Sequence, residues 1–346
     1  VTKDQKNLVY KVTSTNVKTQ EDTSKTFMIS LAGGKASEVD EYKTLLLDLS
    51  LSKDQRYKAE TEKVKLQKVF GSDYYPEMDQ SNVQIYNELN YRHWDTWNDG
   101  NFEHLFVTEN KENGTKIDVL KDEPYSITEF SWTPDGKKVV YVSKKKFGKD
   151  FALSTNTDIY QYDIETKQTI NLTEGKMGYD TAPSFSSQGD FAFLSMEHDG
   201  YEADKNDLIV RRGNIELNIT KQWDGTVQEY KWSNDGKKIY FNAAVGGTIQ
   251  LFEVEVNFKT KKIPTVKQLT QGDFDIASLN DIVGDKAVVT KTDINHAAEI
   301  FVVDLKSGKL AQLTNENQDI FGNISLSDVK ARKIKTTDGK EMHAWV

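Results

Sequence analysis

Hydrophobic positions in the middle of the chain come in short alternating runs, as in strands with one buried face. Lys138–Ser143 is rich in β-branched and aromatic residues, which suit a pleated, half-buried surface. It follows a tight turn at 134–136, where proline presets φ and glycine accepts a positive φ. With similar runs at 130–132, 157–164 and 170–173, the pattern predicts four consecutive short strands.

The same unit of turn, strands and a terminal Leu-Thr or Ile-Thr recurs over 186–220, 230–270 and 284–314. Its terminal aliphatic residues are 47, 50 and 44 residues apart: Leu172, Ile219, Leu269 and Leu313. A period in this range with four strands per repeat is typical of a β-propeller, a ring of four-stranded antiparallel blades. An all-β sandwich with chance similarities is the alternative. The predicted fold class is therefore all-β, with a β-propeller as the favoured architecture.

The rest of the chain fits the repeat less closely. Residues 8–12 and 26–31 predict a first blade, and residues 45–66 begin a second. Residues 67–104 interrupt that second blade as an insertion, in which 82–92 is expected to form one or two helical turns. Strands resume after the insertion, so that six blades can be read.

Two further segments bear on domain organisation. Residues 34–43 are short for a link between blades, so either one blade is abbreviated or residues near 34–45 are absent from the chain, the second being favoured. The repeat ends before 324–346, which reads as a polar linker followed by two short strands. We therefore predict a propeller over 1–323. Because Val1 already lies in a strand pattern, an N-terminal piece is expected to have been removed.

Loop lengths predict where a ligand would bind. In a four-stranded antiparallel blade, the loops between second and third strands share one face, and the short Asp-Gly turns lie on the other. The long loops are all of the first kind, and they are 67–104, 143–157, 196–206, 242–249 and 291–298. The link at 177–180 is expected on the same side. Loops held on a rigid scaffold commonly carry binding residues, so this face is the predicted functional face.

Composition and charge argue against several classes of function. The net charge is −9 and no basic stripe stands out, which argues against a sequence-independent nucleic-acid binder. The short basic cluster at 144–146 is interpreted as solvated. No apolar run approaches the roughly 20 residues that span a bilayer, and no signal peptide is visible. The chain has no cysteine, which excludes disulfides and thiol chemistry.

Catalytic motifs are missing from the sequence. There is no Gly-x-Ser-x-Gly elbow for a serine nucleophile and no glycine-rich phosphate loop. The five histidines are scattered without the spacing of a metal site. We therefore predict no catalytic residue, no metal and no cofactor in this chain itself.

An aromatic cluster at 91–97 is the first binding candidate. One interpretation is a structural plug with buried tryptophan rings and Arg92 paired to Asp95. The other is a docking surface, since Trp, Tyr and Arg are the usual anchors of interfaces. The candidate residues of this surface are Arg92, His93, Trp94, Asp95 and Trp97.

The acidic loop at 197–207 is the second candidate. It lacks the glycine and terminal glutamate spacing of an EF-hand, so a solvated loop is favoured over a calcium site. A sharper hypothesis is that Glu202 or Asp204 pairs with a cationic group such as a peptide α-amine. Three further residues are assigned to the same face: Tyr179, Asp180 and Tyr201.

Five motifs, at 91–97, 154–160, 177–180, 199–204 and 335–340, resemble the propeller of the dipeptidyl-peptidase 5 and acylaminoacyl-peptidase branch of the prolyl oligopeptidase family of serine peptidases. The resemblance is close over 50–346 and loose over 1–45. The first blades look shorter than the family's pattern. The resemblance implies seven blades in the complete fold.

In this family the propeller precedes an α/β-hydrolase domain that carries the Ser-Asp-His triad. Residues 330–346 look like the first strands leading into that domain, so the triad is expected beyond Val346. The resemblance implies a non-catalytic domain that gates access of short peptides, with that hydrolase domain as its partner. It also implies cleavage of N-terminal dipeptides or acyl-amino acids and a periplasmic or secreted location. The alternative is a stand-alone TolB-type propeller that binds another protein.

Overall fold

The computed structural model describes residues 1–16, 18–89, 91–260 and 262–346, and its regular structure is almost entirely antiparallel strands. Four sheets have four strands each, hydrogen-bonded in chain order. We call these blades 3 to 6. Blade 3 consists of Ile127–Trp132, Lys138–Ser143, Asp158–Asp163 and Thr169–Asn171. Blade 4 consists of Asp180–Phe185, Phe191–Ser195, Asp207–Arg212 and Ile215–Asn218. Blade 5 consists of Val227–Trp232, Lys238–Val245, Thr248–Glu255 and Lys267–Gln268. Blade 6 consists of Asp275–Val283, Lys286–Thr292, Glu299–Asp304 and Leu310–Gln312.

Two more sheets, blades 1 and 2, have three strands each. Blade 1 consists of Asn7–Thr15, Asp22–Ser30 and Ser37–Glu38, and blade 2 of Tyr57–Lys65, Asn101–Glu109 and Lys116–Asp118. Small hairpins join Arg92–His93 to Thr96–Trp97 and Ala331–Lys335 to Glu341–Trp345. The short helices are Gly71–Tyr74, Gly148–Leu153 and Gln318–Phe321, with 3-10 turns at Lys43–Leu45 and Pro76–Met78. The predicted β-propeller fold class is confirmed.

The chain divides into two compact units. Unit 1 contains Val1–Asp48 and Ile219–Val346, and therefore blades 1, 5 and 6. Unit 2 contains Leu49–Asn218, and therefore blades 2, 3 and 4.

Strand alternation explains how unit 2 is packed. Successive side chains of a strand point to opposite faces, so one blade can contact both of its neighbours. Val139 and Tyr141 of blade 3 pack with Leu105 and Val107 of blade 2. The intervening residues of the same strand, Val140 and Val142, pack instead with Phe191 and Phe193 of blade 4.

In unit 1 the same rule applies at two blade contacts. Leu251 of blade 5 shares a buried cluster with Ile276 and Val289 of blade 6. The opposite face of blade 6 packs against blade 1 through Val288 and Val302, which meet Leu8, Ile29 and Leu31. The first and last blades of the chain are thus joined through one apolar cluster.

The recurring terminal threonine has a specific structural role. Each of three threonine hydroxyls accepts a hydrogen bond from the amide of a third-strand residue and donates one to a side chain at the start of that strand. The threonines are Thr173, Thr270 and Thr314; the amides are those of Ile159, Leu251 and Ile300; the acceptors are Asp158, Gln250 and Glu299. The Leu-Thr repeat therefore fastens the outer strand of a blade to its neighbour.

Two local expectations are wrong. The described residues of the segment 82–92, namely 82–89 and 91–92, form no helix; the helical residues of the insertion lie earlier, at Gly71–Tyr74 and Pro76–Met78. Residues 45–52 were expected to contribute a strand of blade 2, but in the described structure they make two isolated bridges, Leu46 with Thr2 and Leu51 with Lys58. Leu47 and Leu49 lie in this stretch with 68% and 81% of their surface exposed, so its hydrophobic character does not mark a buried strand.

Candidate functional site

Three loop segments of unit 2 meet around Asp199. Its Oδ1 accepts hydrogen bonds from Ser154 Oγ at 2.7 Å, from the Thr155 amide at 2.7 Å and from the Asn156 amide at 3.2 Å. The amide of Gly200 returns a bond to Thr155 Oγ1 at 2.8 Å. One carboxylate therefore orders the end of the loop that leads into the third strand of blade 3.

The third segment is the link into blade 4. Thr157 and Tyr179 form a parallel bridge, and the amide of Met196 donates to the Tyr179 carbonyl at 2.9 Å. We define the loop cluster as residues 144–157, 176–180 and 196–206. The sequence predicted that these segments share a face, and their hydrogen bonds bring them together.

Asp204 is committed to the fold of its own loop. Its Oδ2 accepts bonds from the amides of Glu197 and His198 and from His198 Nδ1, at 3.1, 2.9 and 2.9 Å. Partial burial raises the pKa of Asp204, but the bonds from His198 and the neighbouring amides outweigh it and lower the pKa to about 2. Asp204 is thus a loop-closing carboxylate, and its acceptor capacity is largely used.

Glu202 differs from Asp204 in being exposed. Its carboxylate makes no hydrogen bond or ion pair with any side chain in the described part of the chain. Lys144 is half-buried, lies over the Phe151 ring at 4.1 Å and has its pKa lowered by burial, an effect that the charges of Asp199 and Glu202 oppose. The interpretation of Lys144 as a freely solvated lysine is therefore wrong. Sequence reasoning missed this residue because its burial comes from loop packing.

Two tyrosines border Glu202. Tyr201 is 65% exposed, and its ring meets that of His198 edge-on at 5.8 Å. Tyr179 is half-buried; burial raises its pKa, and the nearby charge of Glu202 adds to the shift. The cluster thus offers an exposed acceptor near Tyr179 and next to Tyr201 in the chain, and such a combination can bind a cationic group that has an apolar neighbour.

Asp180 requires a correction. It was assigned to the exposed face, but none of its surface is accessible. It lies on the first strand of blade 4, directly after the bridge at Tyr179, and its side chain points into the packed blade. Asp180 therefore lines no surface in this structure.

The hairpin at 91–97 is exposed, so the plug interpretation is wrong. Trp94 is 84% exposed at the hairpin turn, where its φ is +53°. Arg92 donates to the Trp94 carbonyl at 2.8 Å and lies over the Trp97 ring at 5.4 Å, while Asp95 accepts from Thr96 and not from Arg92. The hairpin presents aromatic and cationic surface to solvent.

The hairpin residues are held together locally. Trp97 packs with Tyr86 and Tyr91 at 5.9 and 5.8 Å between ring centres, and the His93 ring meets Trp94 edge-on. The insertion reaches the loop cluster through Glu88, whose carboxylate lies beside Gly148; a Cβ there would be 2.8 Å from Glu88 Oε2. Within unit 2 the insertion and the loop cluster are thus in contact.

Unit 1 contains a cleft that the sequence did not predict. It has a volume of about 390 Å³ and a polar lining. Asp293 holds Lys291 at 3.4 Å and His296 at 2.8 Å on one wall, and Phe301 and Phe321 contribute the apolar part. Across the residues with described positions, no cluster of His, Cys, Asp or Glu has the arrangement of a metal site, and no helix is long and apolar enough to cross a membrane.

Comparison with known proteins identifies sequence relatives of this chain. No protein-family model matches it. It is 35% identical to dipeptidyl-peptidase 5 of Porphyromonas gingivalis over 288 residues, which are 79% of this chain and 41% of that protein. It is 34% identical to dipeptidyl-peptidase 5 of Porphyromonas endodontalis over 284 residues, 78% of this chain and 40% of the relative. The chain thus spans about two fifths of the length of the curated relatives it matches.

Solved structures support the fold independently. An acylaminoacyl peptidase in complex with Z-Gly-Gly-Phe-chloromethyl ketone superposes with a TM-score of 0.71, covering 98% of this chain and 56% of its own, at 15% identity. At that identity the likeness concerns architecture alone. The sequence relatives confirm the resemblance predicted above: the chain is a β-propeller region similar in sequence to the dipeptidyl-peptidase 5 proteins.

Proposed function

We propose that the chain is the non-catalytic propeller of a serine exopeptidase that releases dipeptides or acyl-amino acids from short peptides. The observation that carries this proposal is the sequence match to dipeptidyl-peptidase 5 over 79% of the chain. In the proposed protein the chemistry belongs to an α/β-hydrolase domain, and the complete gene product is expected to contain a Gly-x-Ser-x-Gly elbow. A periplasmic or secreted location is part of the same proposal.

The propeller's own contribution is the admission of substrate. The loop cluster and the insertion are elaborated far beyond the short turns at the other end of the blades, and they carry exposed Trp94 and Tyr201. Loops of this kind restrict which peptides pass while leaving the scaffold rigid. Short, unfolded peptides are the proposed substrates, and folded proteins are excluded.

Glu202 is the proposed anchor of the substrate's α-amine. It is exposed, its charge acts on Tyr179, it follows Tyr201 in the chain, and it has no hydrogen-bonding partner among the described side chains. A carboxylate–ammonium hydrogen bond is stronger than a neutral one. Asp204 supports this role indirectly, since it fixes the loop that presents Glu202.

The test is steady-state kinetics of the complete protein with free-amine and N-acetylated dipeptidyl substrates. Glu202→Gln is expected to lower kcat/KM for the free amine by about 10- to 100-fold and to leave the acetylated substrate unchanged. Glu165→Gln is the matched control, because Glu165 is an exposed glutamate in a turn of blade 3. An unchanged kcat/KM for the free-amine substrate would reject the anchor.

The stand-alone alternative is tested separately. Affinity capture with the 346-residue chain is expected to retain the separately expressed hydrolase domain of the same gene product. Stable capture of an unrelated protein, together with no binding to that hydrolase domain, would favour a TolB-type binding propeller instead.

A further inference from the structure

Strand register reveals an exception in blade 4. In blade 3 the residues Ile127, Ser143 and Asp158 stand side by side on the first three strands. The corresponding first-strand positions are Val227 in blade 5, which pairs with Ala243, and Ile276 in blade 6, which pairs with Lys291. All three aliphatic residues are buried. Blade 4 has Asp180 at this position, paired with Ser195, which in turn pairs with Asp207.

Asp180 is a buried acid whose loss of hydration is poorly offset by contacts with the protein. Its side chain is inaccessible, and neither carboxyl oxygen has a hydrogen-bond partner among the residues that the structure describes. Burial raises its pKa to about 7; the hydroxyls of Ser195 and Thr173 oppose the shift without reaching hydrogen-bond geometry. A carboxylic acid at an aliphatic position costs stability, and such local departures from a repeat commonly mark function.

The surrounding charges do not neutralise it. Asp158 on blade 3 raises the pKa of Asp180 further, after burial and the other causes, and Lys176 lowers it. Lys176 is already bound to Glu216 at 3.0 Å. On the third strand of blade 4, the Asp207 carboxylate pairs with Lys205 at 2.8 Å and accepts a hydrogen bond from Asn218 at 2.8 Å. The protonated form is therefore the one that this site accommodates.

Asp180 also lies where the segments of the loop cluster are hydrogen-bonded to one another. Its amide donates to the Thr157 carbonyl at 3.2 Å and to Thr157 Oγ1 at 3.1 Å, and Thr157 Oγ1 donates to the Asp180 carbonyl at 3.1 Å. The preceding residue, Tyr179, accepts the bond from Met196. The segments around 157, 179 and 196 are therefore hydrogen-bonded to one another beside the buried Asp180 side chain.

We propose that Asp180 is a proton-linked latch, which holds the loop cluster closed when its carboxyl is neutral and loosens it when the carboxyl ionises. The direction of this pH dependence follows from the linkage between proton binding and the stability of the closed state. A carboxyl whose pKa is raised in the closed state stabilises that state fully below its ordinary pKa of about 3.8, and progressively less as pH rises to about 7. Above that pH the stabilisation is gone. The latch does not depend on the peptidase activity proposed above.

Amide hydrogen exchange of the 346-residue chain tests this latch. Protection factors, corrected for the intrinsic pH dependence of exchange, are compared at pH 6 and pH 8 in peptides covering 154–157, 177–180 and 196–200. If the open state restores an ordinary carboxyl pKa, protection falls about tenfold between these pH values. Peptides from the core of blade 3 serve as the internal reference and are expected to change little.

Two variants complete the design. Asp180→Val restores the residue type of the other blades, and Asp180→Asn keeps the shape without the charge; in both, protection is expected to be the same at pH 6 and pH 8. Glu197→Gln, an exposed carboxylate in the same cluster, keeps the tenfold change. The latch is rejected if the wild-type chain shows no pH-dependent change, or if Asp180→Asn retains it. Should the valine variant fail to fold, the asparagine variant decides alone.

Discussion

Glu129 of blade 3 accepts a hydrogen bond from the amide of Ala182 in blade 4, at 2.6 Å from its Oε1 atom. Ala182 has a positive φ of +52° and lies in a register shift of its strand, so its amide has left the regular ladder. Unit 1 repeats the arrangement, since Glu229 of blade 5 accepts from the amide of Leu279 in blade 6 at 2.9 Å. A first-strand glutamate thus fastens one blade to a bulge of the next.

Removing this acceptor is expected to destabilise unit 2. Burial raises the pKa of Glu129, and its amide bond only partly opposes the shift. Glu129→Ala removes the carboxylate that accepts from the Ala182 amide and should lower the free energy of unfolding by about 1–3 kcal/mol, whereas Glu129→Gln keeps an acceptor and should lose less. Urea unfolding followed by tryptophan fluorescence measures both, with the exposed Glu165→Ala as control. Equal stability of the alanine variant and the wild type would contradict this role.

The terminal threonines give a second stability prediction. Thr270 Oγ1 accepts from the Leu251 amide at 2.9 Å and donates to Gln250 Oε1 at 2.8 Å, and its side chain is buried. Thr270→Val preserves the shape but leaves two buried partners unsatisfied, so the free energy of unfolding should fall by about 1–3 kcal/mol. Calorimetry compares it with Thr61→Val at an exposed strand position of blade 2, which is expected to be nearly neutral. If both valine variants behave alike, the hydroxyl contributes nothing specific.

The blade turns predict how the protein responds to acid. In the turn Thr133-x-Asp135, the threonine hydroxyl donates to the Asp135 carboxylate at 2.6 Å, and the Lys137 amide donates to it at 3.1 Å. Both bonds lower the pKa of Asp135, and the bond from the hydroxyl has the larger effect. Ser52 does the same for Asp54, whose pKa falls to about 2. A carboxylate with a lowered folded-state pKa stabilises the protein above its ordinary pKa and loses that effect as pH falls through the folded value.

The melting temperature is therefore expected to fall between about pH 4 and pH 2. Asp135→Asn and Asp54→Asn keep an acceptor but do not titrate, so each should make the decline shallower. Thermal unfolding followed by circular dichroism across this range is the measurement. A decline as steep in the double variant as in the wild type would show that these turns do not control acid sensitivity.

Substitution of Trp94 is expected to affect binding without affecting stability. Because its side chain is 84% exposed, Trp94→Ala is expected to change the free energy of unfolding by less than about 0.5 kcal/mol. If the hairpin faces substrate or the catalytic domain, the same variant should lower kcat/KM of the complete protein severalfold. Ile170→Ala, an exposed apolar residue on the outer strand of blade 3, is the control and should leave both quantities unchanged. Unaltered kinetics in Trp94→Ala would remove the hairpin from the functional face.

Much of the fold could be predicted because the repeat is local. Lys138–Ser143 was predicted with the bounds that the structure has, since alternation and β-branched residues act within one strand. The segment that breaks the repeat lies between Tyr57–Lys65 and Asn101–Glu109, two neighbouring strands of blade 2. The helix Gly71–Tyr74 was missed because four residues carry too little periodicity to be detected.

The candidate site was harder to predict, because burial depends on contacts between distant segments. Asp180 and Glu202 both follow a tyrosine in polar stretches, yet one is inaccessible and the other exposed. The difference comes from register: Asp180 is paired with Ser195 inside a blade, while Glu202 lies in a loop. Lys144 is half-buried for a similar reason, since the helix Gly148–Leu153 folds back and places Phe151 under its side chain.

The central claim is that this propeller admits short peptides to a catalytic domain and excludes folded proteins. The direct measurement is dipeptide release by the complete protein from one polypeptide presented in two states, folded and permanently unfolded, with an accessible N-terminus in both. The account predicts release from the unfolded form, and from short peptides of the same N-terminal sequence, with none from the folded form. Equal rates on the folded and unfolded forms would contradict it.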